Sequence, residues 1–357
     1  MKRLLPLLLS CALLAGCGAG QASPSAGTDA DTQYFFAMDT IMSITAYDGD
    51  TSAALVAAQQ EVNRLEALWS RTRPESDVSR LNDHAGDGTA VPIQPETARL
   101  LETAAAAAQE SGLAFDPVLA PVMDAWGFGA TGSESTAVHR IPSQAELDAL
   151  LPLTRDLPRV EGTAVSLPLA GQAVDLGGIA KGAAAGHVLE VLTGHGVGSA
   201  IIDLGGNITA LGEKPDGSPF RVMVKDPRDS EGGICVLSLA DGATCSTSGG
   251  YERYFEADGR VYHHIIDPST GYPARSGLLS VTVVSQDPYW ADAWSTALFV
   301  LGAEEALDLW REGPETVQAM ELVLVEESGR VLVTEGLEED LEFLGEEAGY
   351  TCEIVRR

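Results

Sequence analysis

Between Val160 and Val325 seven short runs rich in β-branched residues follow one another, and only two helix-like stretches fall among them. The runs are Val160–Leu167, Ser199–Leu211, Phe220–Val224, Ile234–Leu239, Val261–Ile266, Leu279–Ser285 and Ala319–Val325. The helical stretches are Ile179–Gly194 and Ala291–Trp310. A doubly wound parallel sheet needs strand and helix to alternate, because each crossover takes a helix. This order does not alternate, so it predicts an α+β fold: mixed sheets with flanking helices.

The first half fits that class. Tyr34–Tyr47 alternates apolar and small polar residues as a strand does, with Met38-Asp39-Thr40 inside it. Thr51–Trp69 places Leu55, Val62, Leu65 and Leu68 near helical spacing, and Pro95–Gly112 is a second, Ala-rich helix. Gly112–Gly129 is irregular, and Gly129–Val138 has the composition of a loop insertion. The tetrapeptide DLGG occurs at Asp175–Gly178 and again at Asp203–Gly206, each time after an apolar run. Four letters are too few to establish an internal repeat.

The chain of 357 residues carries 52 acidic against 22 basic side chains, a net charge of -30. Nucleic-acid binding needs clustered Lys and Arg, so that class is excluded. A phosphate-bearing ligand would have to be held by a metal ion, one placed lysine or backbone N–H groups. Lys2 and Arg3 precede an apolar run, Leu4–Leu14, that is short for a membrane span. Leu14-Ala15-Gly16-Cys17 then resembles a bacterial lipoprotein cleavage box. The reading divides the chain into a signal peptide (1–17), a flexible tether (18–33), one large domain (34–345) and a tail (346–357). It predicts a lipid anchor on Cys17 at the extracytoplasmic face of the cell membrane; an ordinary secretory signal in which Cys17 is incidental is the other reading. Beyond the signal lie Cys235, Cys245 and Cys352, with no CxxC spacing. A zinc site or disulfide framework does not follow; one Cys235–Cys245 bridge and two buried thiols are both compatible.

Three segments have residue types that can do chemistry. In Asp175-Leu-Gly-Gly178-Ile-Ala-Lys181 two glycines precede a helix, so backbone can approach a ligand and the first helical N–H groups are free. Lys181 in the first turn opposes the helix dipole, which is understandable if it meets an anion; a solvated lysine is equally compatible. In His263-His264-Ile-Ile-Asp267-Pro the two histidines end a strand and point to opposite faces, so one can serve as a general base; a surface pair is the plainer reading. In Asp292-Ala-Trp-Ser295-Thr296 the carboxylate and the Thr hydroxyl are i and i+4 on one helix face with Ser295 adjacent. Oxygen donors of this kind suit Mg²⁺, though a carboxylate near a helix start is often there for the dipole. Met38-Asp-Thr40 has no signal of its own.

Together and in this order these segments resemble the ApbE family of FAD:protein FMN transferases. The resemblance runs from Met38 to Leu301. It includes MDT (38–40), RPESDVSRLN (73–82), AFDP (114–117), WGFG (126–129), DLGGIAKG (175–182) and IDLGGN (202–207). It continues through STSG (246–249), HHIIDPSTG (263–271) and DAWSTALFVLG (292–302). The resemblance implies an FAD cleft between two substructures, contacted by Met38, Thr72, Ala114, Phe115, Asp116, Asp175, Lys181 and Ile265. It implies Mg²⁺ on the Gly178 carbonyl, Asp292 and Thr296, with Ser295 as a further candidate, and His264 assisting transfer. It further implies that FAD is the substrate and that FMN passes to a Thr or Ser of an acceptor flavoprotein, such as a membrane redox complex subunit, with release of AMP. Many members have an aromatic residue where this chain has Thr72, and Trp69 is the nearby alternative. A metal-dependent FAD pyrophosphatase and a non-catalytic flavin-binding lipoprotein are the competing readings. The match fades after Glu312, where the acidic composition reads as a solvated surface.

Overall fold

A computed structural model describes residues 30–129 and 139–357. The signal, most of the tether and nearly all of the expected loop insertion lie outside the described residues. The first elements are β1 (Asp31–Ala37), β2 (Thr40–Ala46), α1 (Thr51–Trp69), α2 (Asp77–Asp83), β3 (Val91–Pro92), α3 (Pro95–Glu110), α4 (Ala120–Trp126) and α5 (Gln144–Leu150). Next come β4 (Arg159–Glu161), β5 (Ala164–Ser166), α6 (Ala180–Gly194), β6 (Ala200–Asp203), β7 (Asn207–Leu211), β8 (Phe220–Asp226), β9 (Asp229–Leu239) and β10 (Thr244–Gly249). The chain continues with β11 (Tyr254–Ala257), β12 (Arg260–His263), β13 (Leu278–Ser285), α7 (Pro288–Leu301), α8 (Ala303–Glu312) and α9 (Glu315–Gln318). It closes with β14 (Glu321–Glu326), β15 (Arg330–Thr334), β16 (Leu341–Phe343) and β17 (Thr351–Val355).

Nine strands form one mixed sheet in the order β1-β2-β6-β7-β10-β13-β14-β15-β17. All neighbours are antiparallel except β15 and β17. The α+β expectation is therefore met. The main core lies between one face of this sheet and helices α1, α3, α6 and α7. A second core joins the opposite face to the β16–β9–β8 sheet. A third gathers Trp126, Phe128, Leu147, Tyr262 and Ile266 into a lobe of α4, α5 and the β11–β12 hairpin. Trp126 is fully buried, and its Nε1–H donates to the Gly271 carbonyl at 2.7 Å, tying two distant motifs together.

Several elements differ from the sequence reading. Met38 and Asp39 are not in a strand: they are the two central residues of a hairpin turn, with φ of 48° and 59°. That left-handed geometry usually takes Gly or Asn, so the turn is strained. Val160–Leu167 and Ser199–Leu211 are each a hairpin rather than one strand. The Ala291–Trp310 helix is two helices, parted at Gly302 with φ of 89°. Strands β10, β15 and β17 were not read from the sequence. Residues 346–357, set apart as a tail, contain β17, which pairs in parallel with β15 from Arg330↔Thr351 to Thr334↔Val355. Cys235 and Cys245 are buried free thiols, and burial pushes both pKa values up to about 12.

Candidate active site

The site is built where α6 and α7 cross. Gly182 makes the crossing close: a Cβ there would lie 2.0 Å from the Pro288 carbonyl oxygen and 2.7 Å from Asp292 Cβ. Only glycine fits. The approach lets the Gly182 N–H donate to Asp292 Oδ2 at 2.9 Å. From β7, Asn207 Nδ2 donates to Asp292 Oδ1 at 3.2 Å. Asn207 is 1% exposed, and its own Oδ1 accepts from Ser246 Oγ on β10. The buried Asp292 carboxylate is thus aimed by two donors from two other elements. Lys181 Nζ lies 4.0 Å from Asp292 Oδ1.

One turn along α7, Thr296 Oγ1 is 3.3 Å from Ser248 Oγ. A Cβ on Gly178 would sit 3.6 Å from Thr296 Oγ1 and 3.0 Å from the Phe115 ring, so the glycine turn, Thr296 and Phe115 meet at one place. Ser295 is different. It is fully buried, and its hydroxyl donates to the Asp292 carbonyl at 2.8 Å while meeting Ser248 Oγ at 2.8 Å. It supports the helix turn, leaving Asp292 and Thr296 as the available side-chain oxygens. Among the described residues no three His, Cys, Asp or Glu side chains converge as a metal cluster. One carboxylate, one hydroxyl and nearby carbonyls make a hard, sparse donor set, which fits a cation that keeps waters and takes ligand phosphate oxygens.

The DLGG turn is held from behind. Asn82 pairs with Val174 like a strand partner: Nδ2 donates to Val174 O at 3.0 Å, and Val174 N–H donates to Oδ1 at 2.7 Å. Asp175 Oδ1 accepts from Gly177 N–H at 2.8 Å, and Oδ2 meets Arg71 Nε at 2.9 Å. The Arg71 guanidinium also binds Asp124 and the Gly129 carbonyl, so it locks α4 to the turn.

His263 and His264 divide as strand neighbours should. His263 packs edge-on against Phe299 and hydrogen-bonds the Ala274 carbonyl at 3.1 Å. His264 projects the other way, near Phe128, with Nδ1 3.1 Å from the Arg253 carbonyl. A carbonyl only accepts, so Nδ1 carries the proton and Nε2 keeps a lone pair. Desolvation, then the Arg253 guanidinium, push the His264 pKa down to about 3; Lys181 adds a smaller repulsion. The half-buried ring keeps some solvent, which tempers the size of that shift without changing its direction.

Other expected contacts fall less tightly. Met38 donates its N–H to Glu66 Oε1 at 3.0 Å and packs on the main core. Ala114, Phe115 and Ile265 are buried in that core. Thr72 is exposed and bonds only Ser70. Trp69 is 4% exposed, edge-on to His187 within the main core, so it does not turn outward in Thr72's place. Asp116 is 9% exposed; Oδ1 accepts from Val118 N–H at 2.8 Å while Oδ2 has no hydrogen-bond partner among the described residues. Burial pushes its pKa up to about 7. The unfolded chain releases this proton near 3.8, so Asp116 costs the fold more as pH rises from 3.8 through 7. Asp116→Asn is therefore expected to raise the melting temperature of the ligand-free protein at pH 8 by a few degrees, on the order of 1–2 kcal/mol, and by less at pH 5. Equal shifts at both pH values would contradict a neutral Asp116.

Comparison with known proteins decides the family: the ApbE family model matches residues 38–320. The chain belongs to the ApbE family. It is 34% identical over 322 residues to the FAD:protein FMN transferase of Treponema pallidum (strain Nichols), covering 84% of this chain and 86% of that one. A Klebsiella pneumoniae (strain 342) protein of the same name is 37% identical over 257 residues, covering 71% and 77%. The ApbE protein of Thermotoga maritima superposes with a TM-score of 0.78 at 32% identity, covering 87% of this chain and 99% of that one. The apo flavinyl transferase ApbE of Pseudomonas stutzeri gives 0.75 at 30%, covering 87% and 96%. Within this ApbE-family fold, Arg71, Asn82, Asn207 and Ser248 are among the site residues to which sequence reasoning gave no role. Asn82, Asn207 and Ser248 stood inside quoted motifs; Arg71 stood two residues before one.

Proposed function

We propose that this FAD:protein FMN transferase binds FAD with its pyrophosphate between the DLGG turn and α7, and passes FMN to a Thr or Ser hydroxyl of an acceptor protein. The observation behind this reading is the convergence of Gly178, Lys181, Asp292 and Thr296, with His264 presented from the neighbouring lobe. Mg²⁺ held by Asp292, Thr296 and the Gly178 carbonyl would neutralise pyrophosphate charge and polarise the phosphoryl group. Lys181 adds a positive charge in an otherwise acidic protein. The acceptor oxygen bonds to the FMN-side phosphorus, the bond to the AMP oxygen breaks, and the hydroxyl proton passes to His264 Nε2. Cys17 would carry a lipid anchor, placing the domain at the extracytoplasmic membrane surface beside an acceptor such as a redox-complex subunit.

The direct test is intact mass spectrometry of a Thr-bearing peptide on a carrier domain, incubated with the chain lacking residues 1–17, FAD and Mg²⁺. A gain of one FMN, matched by AMP release and blocked by chelator, is the expected result. AMP without that gain would establish the pyrophosphatase instead, and intact bound FAD the non-catalytic lipoprotein. The aiming of Asp292 has its own test. Asn207→Ala should weaken Mn²⁺ binding, read by electron paramagnetic resonance with Mn²⁺ in place of Mg²⁺, by about 10–100-fold. Unchanged Mn²⁺ affinity would show that Asn207 does not set the ligand.

A further inference from the structure

The two faces of the nine-stranded sheet are not equally covered. Helices cover one. The β16–β9–β8 sheet packs on the other, against side chains of β7, β10, β14 and β15, and among the described residues leaves the outer face of the β1–β2 hairpin open. On that open stretch stand Tyr34, Phe36 and Ile41, which are 71%, 67% and 73% exposed. Phe36 and Ile41 are direct register partners, so their side chains adjoin. Met223 on β8 is 48% exposed and lines a cavity of about 210 Å³ together with Ile41, Thr40, Gly206 and Tyr251. Half of the eight large hydrophobic side chains exposed among the described residues therefore gather at one place. An apolar strip beside a free sheet edge is an aggregation hazard that proteins usually cover or charge. A chain with net charge -30 had ample acid to do so.

The strip lies near the site, on the opposite face of the same strands. Asn207, itself bonded by Ser246, holds Asp292 from the helix-covered face. The next residues on the same two strands, Ile208 and Thr247, line the cavity on the other face. Strand alternation puts site and cavity back to back at one end of the sheet, joined around the Met38–Asp39 and Gly205–Gly206 turns. The cavity also presents Asp203, Lys225 and Glu252, charges of both signs that suit a polypeptide better than an acyl chain. Among the described residues β1 is the terminal strand of the sheet, with no strand paired on its outer edge, an arrangement that suits an extended partner.

We propose that Phe36, Ile41 and Met223 form the docking surface for the acceptor protein, which lays an extended segment with apolar residues flanking its hydroxyl across this shelf. This rests on the transferase reading above. The probe is a carrier-displayed peptide with a central Thr or Ser, chosen from a flank-randomised library by FMN mass gain with the wild-type enzyme. Phe36→Thr/Ile41→Thr places β-branched residues at both exposed strand positions, and Met223→Thr tests the facing sheet separately. Each is expected to raise the KM for the peptide carrier about tenfold or more, leaving the KM for FAD and kcat at saturating peptide unchanged. Val56→Thr, an exposed apolar position on α1, should change nothing. An unchanged peptide KM, or a change confined to kcat or to FAD, overturns the proposal. So does loss of binding to phosphatidylcholine vesicles without a peptide effect, which would assign the shelf to a membrane. A shift from dimer to monomer by light scattering would assign it to a second copy. If the wild type cleaves FAD but modifies no library member, the transferase reading itself fails, and this inference with it.

Discussion

Asp292→Ala is expected to cut FMN transfer by about a thousandfold or more, because the metal-assisted phosphoryl step proposed above would draw several kcal/mol from charge neutralisation at the pyrophosphate. The structure explains why no neighbour can replace it. Of Gly178, Lys181, Asp292 and Thr296, Asp292 supplies the one carboxylate; Asp175 at the same turn is engaged by Arg71 and the Gly177 N–H, and Ser295 is committed to Ser248 and to the Asp292 carbonyl. The substitution also strands two buried donors, the Gly182 N–H and the Asn207 amide. That costs the fold about 1–3 kcal/mol, so the melting temperature must be measured beside the rate. Asp292→Asn separates the two effects. It keeps the volume, but one of its terminal atoms is an NH₂ facing a donor, so it can satisfy only one of the two partners. The transfer rate should fall nearly as far with a smaller loss of stability. A variant that folds and transfers FMN within tenfold of wild type would remove Asp292 from the chemistry.

What the sequence disclosed depended on whether the signal was local. Thr51–Trp69 was readable because its buried residues, Leu55, Val62 and Leu65 among them, recur at helical spacing. β10 was not, although it is central: Thr244-Cys-Ser-Thr-Ser-Gly249 has no large apolar residue. Its polar side chains meet the candidate site, Ser246 at Asn207 and Ser248 at α7. The Met38–Asp39 turn lacks the glycine that marks such turns, and its positive φ values appear only in three dimensions. The site showed the same division. DLGGIAKG and DAWST are contiguous, so their chemistry could be read directly. Arg71 reaches Asp124 across 53 positions and Asn82 reaches Val174 across 92. Nothing in a local window reports such pairings.

His264→Ala should lower kcat by about 10²–10⁴-fold while leaving the KM for FAD unchanged, because a general base acts in the transfer step rather than in binding. The pH dependence distinguishes this from a structural loss. An ordinary imidazole would protonate near 6.5, and activity would fall through that range. Here desolvation and the Arg253 guanidinium hold the pKa down, to about 3, so the ring stays neutral and Nε2 stays available. The wild-type profile should therefore show no acid limb from His264 between about pH 5 and 8. The same shift sets a stability trend. The unfolded chain binds this proton at 6.5 and the folded chain does not, so His264 destabilises the fold as pH falls below 6.5. His264→Gln should relieve that acid sensitivity while remaining slow at every pH. Arg253 is the second lever: Arg253→Gln removes the nearest charge from the ring and should bring an acid limb back toward neutral pH. Full activity in His264→Ala would refute the base assignment, whereas an acid limb near 6.5 in the wild type would show that the ring is solvated rather than held neutral.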